Sequence, residues 1–339
     1  MASLFSLKKM KLIVIKEEYI NKFLNGRQFF ILTAVLYVVL TWLATTGSVP
    51  QQKSVQGICF DTDVLSLLPP MVSTLLAVVS VLGVSLLMSF LNKASAFVRD
   101  VTYIFSSTYL LLAIANPMES AYFNEGSLLS IVMMLLTVLV FGTYQEFHAQ
   151  RKVYISFVIL ACCCMINYAF APMMIVLALG FVQMRVMNLR SALAIIFGIV
   201  TPFWIALGTG LVGISGLRWH DITVVWNNDA LLQSVKMLTV VVFTVVVALS
   251  LFGANVLQLI SYKLQTRSYN GFFIVLMLVT MLAMVIDGGN VMAYLPVLNV
   301  CLSVQMAHTF TLAKNVRKYI MLLMFVALCV GSYVWQVFY

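Results

Sequence analysis

Two carboxylates separated by a single residue, Asp61 and Asp63, stand in the run Phe60-Asp61-Thr62-Asp63. Such a pair can share a divalent cation through hard oxygen ligands, or one member can act as general base toward an acceptor hydroxyl. Asp63 also precedes Leu65 and the Pro69-Pro70 pair, a place where an aspartate caps a helix, so capping by itself accounts for it. A second group, Glu119 and Glu125, lies in residues 116–126, which carry two carboxylates and no base. A third is Arg218-Trp219-His220-Asp221. There Arg218 or His220 can hold an anionic group and the indole of Trp219 can stack on the apolar face of a sugar, although a tryptophan at a membrane boundary also serves as a plain interfacial anchor. The candidate catalytic residues are therefore Asp61, Asp63 and Glu125. The candidate substrate-binding residues are Glu119, Arg218, Trp219, His220 and Asp221, and Asp61 and Asp63 are the candidate ligands of a divalent cation.

Other chemistries lack their spacing. There is no Walker lysine loop, no Cys or His pair at zinc spacing and no serine nucleophile elbow. The apolar runs hold almost no ionisable residues, which argues against a proton- or sodium-coupled transporter. Five of the six cysteines, Cys162, Cys163, Cys164, Cys301 and Cys329, fall inside apolar runs and read as small packing residues, with Cys59 in a loop.

The elements that must position these groups are helices in a bilayer. With 63% hydrophobic and 9% charged residues in 339, the chain cannot be folded around one water-soluble core. The apolar stretches are continuous rather than alternating, which excludes a transmembrane barrel. The expected fold class is all-α, a polytopic helical membrane protein of about eleven spans, near 28–46, 66–91, 101–116, 127–144, 153–171, 172–184, 191–213, 235–262, 271–286, 289–308 and 318–338. Residues 1–27 carry Lys8, Lys9, Lys11, Lys16, Lys22 and Arg27 around Leu12, Ile15, Tyr19 and Phe23 at helical spacing, an amphipathic interfacial helix on the cytoplasmic side. Residues 28–339 form a single helical transmembrane domain.

Basic residues set the orientation. With the N-terminus inside, seventeen lysines and arginines fall on the cytoplasmic side and only Lys53, Arg218 and Lys236 outside. Most carboxylates fall outside: Asp61, Asp63, Glu119, Glu125, Asp221, Asp229 and Asp287. Acidic residues contribute little to topogenesis, so this bias leaves room for a functional cause as well as for solvated loop ends. The positive charge sits beside membrane spans, and nothing suggests nucleic acid.

Residues 151–212 hold the tightest arrangement. The run 153–171 can cross a bilayer, whereas 173–184 reaches only about 18 Å at 1.5 Å per residue against a core of about 30 Å. The second arm is expected to be an interior element of a hairpin, walled off from lipid, with small residues at Cys162, Cys163, Cys164, Ala169 and Ala171 and the return arm started by Pro172.

The order of these features from Asp61 to about residue 212 resembles the membrane core of the polyprenol-dependent glycosyltransferases of the C superfamily. The resemblance lies in the cytoplasmic N-terminus, the acidic pair in the first outer loop, a later acidic residue before a span, and a short hairpin followed by a basic turn and another span. Asp61 and Asp63 match the first acidic position and Glu119 or Glu125 the second. The first outer loop is shorter than in that superfamily, and the lysine often found in its hairpin turn is replaced here by Asn167-Tyr168-Ala169-Phe170-Ala171-Pro172. The stretch FAPMMIVLALGFVQMRVMNLRSALAIIFGIVTPFW also resembles an uncharacterised family of bacterial inner-membrane proteins of the Bacteroidetes type. The first resemblance implies a transferase at the outer leaflet of a bacterial cytoplasmic membrane, acting on a sugar linked to polyprenyl phosphate with membrane lipid as its surroundings. The alternative is a noncatalytic flippase, transporter or envelope-assembly scaffold.

Overall fold

A computed structural model describes residues 22–46, 58–59, 68–98, 103–146, 148–213, 224, 235–256, 262–312 and 317–338. Every apolar run found in the sequence is occupied by a helix: α1 (Arg27–Thr46), α2 (Pro70–Ser95), α3 (Ile104–Ala115), α5 (Glu125–Phe141), α6 (Gln150–Ile166), α7 (Ala171–Gln183), α8 (Leu189–Gly208), α9 (Val235–Val256), α10 (Leu264–Ile286), α11 (Val291–Leu312) and α12 (Arg317–Phe338). Between α3 and α5 lies a four-residue helix, α4 (Pro117–Ser120), and 3₁₀ turns precede α7 (Tyr168–Phe170) and α11 (Gly288–Asn290). Among the described residues there is no strand. Local chemistry sets the boundaries. Asn124 and Asn188 cap α5 and α8 by accepting from the Ser127 and Ser191 N–H groups, and Pro70, Pro117 and Pro172 occupy first turns, where a missing donor costs nothing.

Seven of these helices are long and apolar enough to cross a membrane, α1, α2, α8, α9, α10, α11 and α12. The sequence leads one to expect about eleven. The difference lies in length, because α3, α5, α6 and α7 have only 12, 17, 17 and 13 residues. Large apolar side chains such as Ile31, Val35 and Trp42 on α1, Ile196, Phe197 and Trp204 on α8 and Leu323 and Leu328 on α12 are exposed. Apolar surface of that extent has to be covered by lipid, and the chain is a multi-pass, all-helical membrane protein.

The interior is organised around α11, whose spanning window is 94% buried although its mean hydropathy is only 1.3. It packs against α3, α5, α9 and α10, and α3 in turn is wrapped by α1, α2 and α12, so that all twelve α3 residues are buried. The lower hydropathy of α11 reflects polar side chains buried inside the bundle, some of which bond across to neighbouring helices. Asn255 of α9 donates to the Gln305 carbonyl (2.8 Å), Gln305 Nε2 donates to Asn270 Oδ1 of α10 (3.2 Å), and Thr309 donates to Asn255 Oδ1 (3.1 Å). Such interhelical bonds hold helices together where hydrophobicity cannot, since lipid tails are as apolar as leucine.

The hairpin expected to lie inside sits nearer the rim. α7 buries Met173, Val176, Leu177, Gly180 and Phe181 against α10 but exposes Ile175, Leu179 and Val182. The reason is its partnership: α6 packs most broadly on α8, and α7 offers α10 a single face. A methyl group at Gly198 would lie 2.8 Å from Phe157 Cβ and 3.0 Å from the Tyr154 carbonyl oxygen, and one at Gly180 would lie 2.7 Å from the Phe272 ring, so both contacts require glycine. Of the small hairpin residues Ala169 and Cys164 are buried, whereas Cys162 and Ala171 are exposed.

Contacts between connections sort the helix ends into two sets. Tyr37 donates to the Ser120 carbonyl, the Phe123 N–H to Ser73 and Gln336 Nε2 to the Ala115 carbonyl at one end, which carries Glu119, Glu125 and Asp287. At the other, the Gln145 N–H donates to the Met184 carbonyl and Tyr269 to the Phe141 carbonyl, and this end carries Lys93, Arg151, Lys152, Arg185, Arg190, Lys263 and Arg267. Among the described residues, Glu119, Glu125 and Asp287 thus lie at one end of the bundle and most of the basic residues at the other, where Glu146 pairs with Lys152.

Candidate functional site

At the acidic end the chain breaks between α3 and α5 and folds inward. A break inside a bundle leaves carbonyl and N–H groups without helical partners, and every unsatisfied one in an apolar setting costs several kcal/mol. Side chains from four helices supply the partners. The Ala115 carbonyl accepts from Gln336 Nε2 (2.7 Å) and Ser332 (2.8 Å) of α12, and Ser120 Oγ donates to the Ala113 carbonyl (2.7 Å). The Tyr37 hydroxyl of α1 donates to the Ser120 carbonyl (3.2 Å), and Ser73 of α2 accepts the Phe123 N–H (3.0 Å). Lys236 of α9 donates to the Gln336 carbonyl (3.1 Å), which ties in another helix.

Glu119 lies within this break and is only 3% exposed. Its carboxyl sits in the electrostatic reach of the Tyr37 and Tyr109 phenols. Burial pushes its pKa from an ordinary 4.5 to about 8, so the group is neutral at pH 7. The sequence suggests an outer loop residue open to substrate, and the structure gives a sealed one. Asn116 beside it is fully buried, and neither its Oδ1 nor its Nδ2 has a hydrogen-bond partner among the described residues.

Glu125 opens α5, where its charge opposes the positive end of the helix dipole, directly after the Asn124 cap. Asn124 also reaches back, donating from Nδ2 to the Glu119 backbone carbonyl (2.7 Å), so Glu119 and Glu125 belong to one hydrogen-bonded corner. Asp287 is 7% exposed and is held through Oδ2 by Asn290 (2.7 Å) and Tyr294 (3.1 Å). Its carboxylate shapes the turn into α11 and is not presented to solvent.

Asp61, Asp63, Arg218, Trp219, His220 and Asp221 lie outside the described residues. Cys59, two positions before Asp61, is described. Its N–H donates to the Met165 carbonyl at the end of α6 (3.2 Å), and its side chain packs with Met165, Ala206 and Val212. Among the described residues no three of His, Cys, Asp and Glu gather closely enough to hold a metal ion.

Two groupings escape a reading of the sequence. The Asn255–Gln305–Asn270 network has no linear signature, because its members come from three helices. A cavity of about 550 Å³ at the basic end, lined in part by Gln183, Arg185 and Arg267, uses arginines that in one dimension read only as topology signals. Comparison of the chain with protein-family models, with curated proteins and with solved structures finds no match.

Proposed function

We propose that this protein is a multi-pass protein of a bacterial cytoplasmic membrane with its N-terminus inside and about eleven crossings. In this reading it is similar in layout to the glycosyltransferase C superfamily and transfers a sugar from a polyprenyl-phosphate carrier at the outer leaflet, in building the cell envelope. Asp61 or Asp63 takes the proton of the acceptor hydroxyl as the new glycosidic bond forms and the bond to the carrier phosphate breaks. Glu125 positions the acceptor, Arg218 and His220 hold the departing phosphate, Trp219 stacks on the sugar and Asp221 completes the binding surface, while the enclosed Glu119 braces the break beside Glu125 from within. Two carboxylates one residue apart suit a divalent cation, which would polarise that phosphate.

The observation that carries the reading is the anchoring of Cys59 on Met165. It ties Cys59, two residues before the acidic pair, to the end of α6, one arm of the hairpin that the resemblance includes. The test is a chromosomal Asp61→Asn, Asp63→Asn double variant. Protein level and melting temperature should stay near wild type, because surface substitutions usually move stability by less than about 0.5 kcal/mol. Envelope glycan should be lost, and a normal glycan would overturn the catalytic reading.

One observation favours a second reading, a noncatalytic flippase or transporter. Glu119 is a buried, protonatable carboxyl at a break between two short helices, an arrangement on which transporters build their sites. Under that reading Glu119→Gln would abolish movement of a labelled lipid across proteoliposomes while the two aspartate changes would not.

A further inference from the structure

The cavity at the basic end lies between the end of α7, the end of α9 and the start of α10. Its lining is amphipathic. Val182, Val256 and Leu264 give it apolar wall, and Gln183, Arg185, Arg267 and Ser268 give it polar edge. No carboxylate lines it, and neither arginine pairs with a carboxylate among the described residues. The first turns of α10, which contain Arg267 and Ser268, add the positive end of a helix dipole.

Two further features belong to this cavity. Arg185 has φ of 60°, a left-handed conformation that glycine adopts freely and arginine does not. Its N–H bonds to the Val182 carbonyl and the Val186 N–H to the Phe181 carbonyl, the paired bonds of a helix end at which this left-handed position is usually glycine. Gln183 Oε1 is buried and has no hydrogen-bond partner among the described residues. It is an acceptor without a donor, beside two exposed guanidinium groups able to hold an anion at the mouth of the cavity.

We propose that this cavity binds the headgroup of an anionic glycerophospholipid of the leaflet at the basic end. The phosphodiester accepts from Arg185 and Arg267, a headgroup hydroxyl donates to Gln183 Oε1, and an acyl chain runs over Val182 toward the exposed Leu179 and Ile175 of α7. A phosphoglycerol headgroup meets both demands. A choline headgroup offers no donor and brings a cation toward two arginines. This site is at the opposite end from Glu119, Glu125 and Asp287 and stands whether or not the chain is a transferase.

The test uses the full-length protein purified in detergent and stripped of lipid, with melting temperature followed against three probes: short-chain phosphatidylglycerol, phosphatidylcholine of the same chain length, and inorganic phosphate. Phosphatidylglycerol should raise the melting temperature saturably and the other two should not. Arg185→Gly and Arg267→Gln should each weaken its apparent affinity by about tenfold or more. Gly271→Leu should do the same by filling the cavity, since the nearest atoms that a Cβ there would meet are those of Gln183, at 3.6 Å and beyond. Arg185→Gly carries its own folding control, because glycine suits that backbone and the ligand-free melting temperature should equal or exceed that of wild type. Equal responses to phosphatidylcholine, a response to inorganic phosphate matching that to phosphatidylglycerol, or full affinity in the arginine variants would each overturn the proposal.

Discussion

A carboxyl enclosed by Tyr37, Tyr109 and the connection between α3 and α5 takes up a proton when the chain folds, and stability must then depend on pH. The folded pKa of Glu119, about 8, lies above the unfolded 4.5. Below pH 4.5 the group is protonated in both states and its contribution is fully present. Between 4.5 and about 8 only the folded state holds the proton, so stability falls with rising pH by about 1.4 kcal/mol per unit for this one group and levels off above that window. Glu119→Gln removes the titration. The difference in melting temperature between wild type and variant should therefore grow in the variant's favour from pH 5.5 to 8.5, and parallel curves would show that Glu119 is ionised in place. None of this was legible in the sequence, where Glu119 looks like any loop carboxylate. What seals it is the set of distant side chains, Gln336, Ser332, Tyr37 and Ser73, that satisfy the backbone around it. Glu125, by contrast, directly follows the capping Asn124, a pattern local in the chain.

At the scale of elements, the apolar runs were legible in place and order, since continuous hydrophobicity is a property of the chain itself, but their ends were not: α10 starts at Leu264 and not at 271, and α2 runs over Pro70–Ser95 and not 66–91. Which short helix is enclosed was not. α3 and α7 have 12 and 13 residues and similar composition, yet α3 is buried throughout while α7 keeps one face outward. The choice depends on neighbours that arrive later in the chain, α11 and α12. The hairpin turn is nonetheless tightly filled: Ala169 is fully buried, and its N–H donates to Asn167 Oδ1 (2.7 Å). Ala169→Trp should cost about 1–3 kcal/mol through overpacking. Leu323→Trp, at a site 71% exposed, should cost almost nothing. Melting temperature and monodispersity of the two variants in detergent check this, and equal behaviour would mean that the turn has room to spare.

For the molecule as a whole, the separation of acidic from basic ends follows from contacts, whereas the side of the membrane on which each end lies follows only from the seventeen-to-three bias of basic residues. Single cysteines at Ser54 and Asn227 should react with a membrane-impermeant maleimide on intact cells, and those at Ser95 and Gln265 should not. The reverse pattern would invert every side assigned here. The helix on which the interior depends, α11, also has a place in time. It is made after α3, α5, α9 and α10, all of which pack on it, so during synthesis those helices enter the bilayer with Asn255, Asn270 and the break at Glu119 still without their final neighbours. Its own modest hydropathy makes it a poor substrate for insertion by itself, and it enters best into a groove that its predecessors already form. The bundle is therefore expected to close only once α11 has been made, and a ribosome stalled before α11 should leave Asn255 of α9 and Asn270 of α10 on helix faces without their partner.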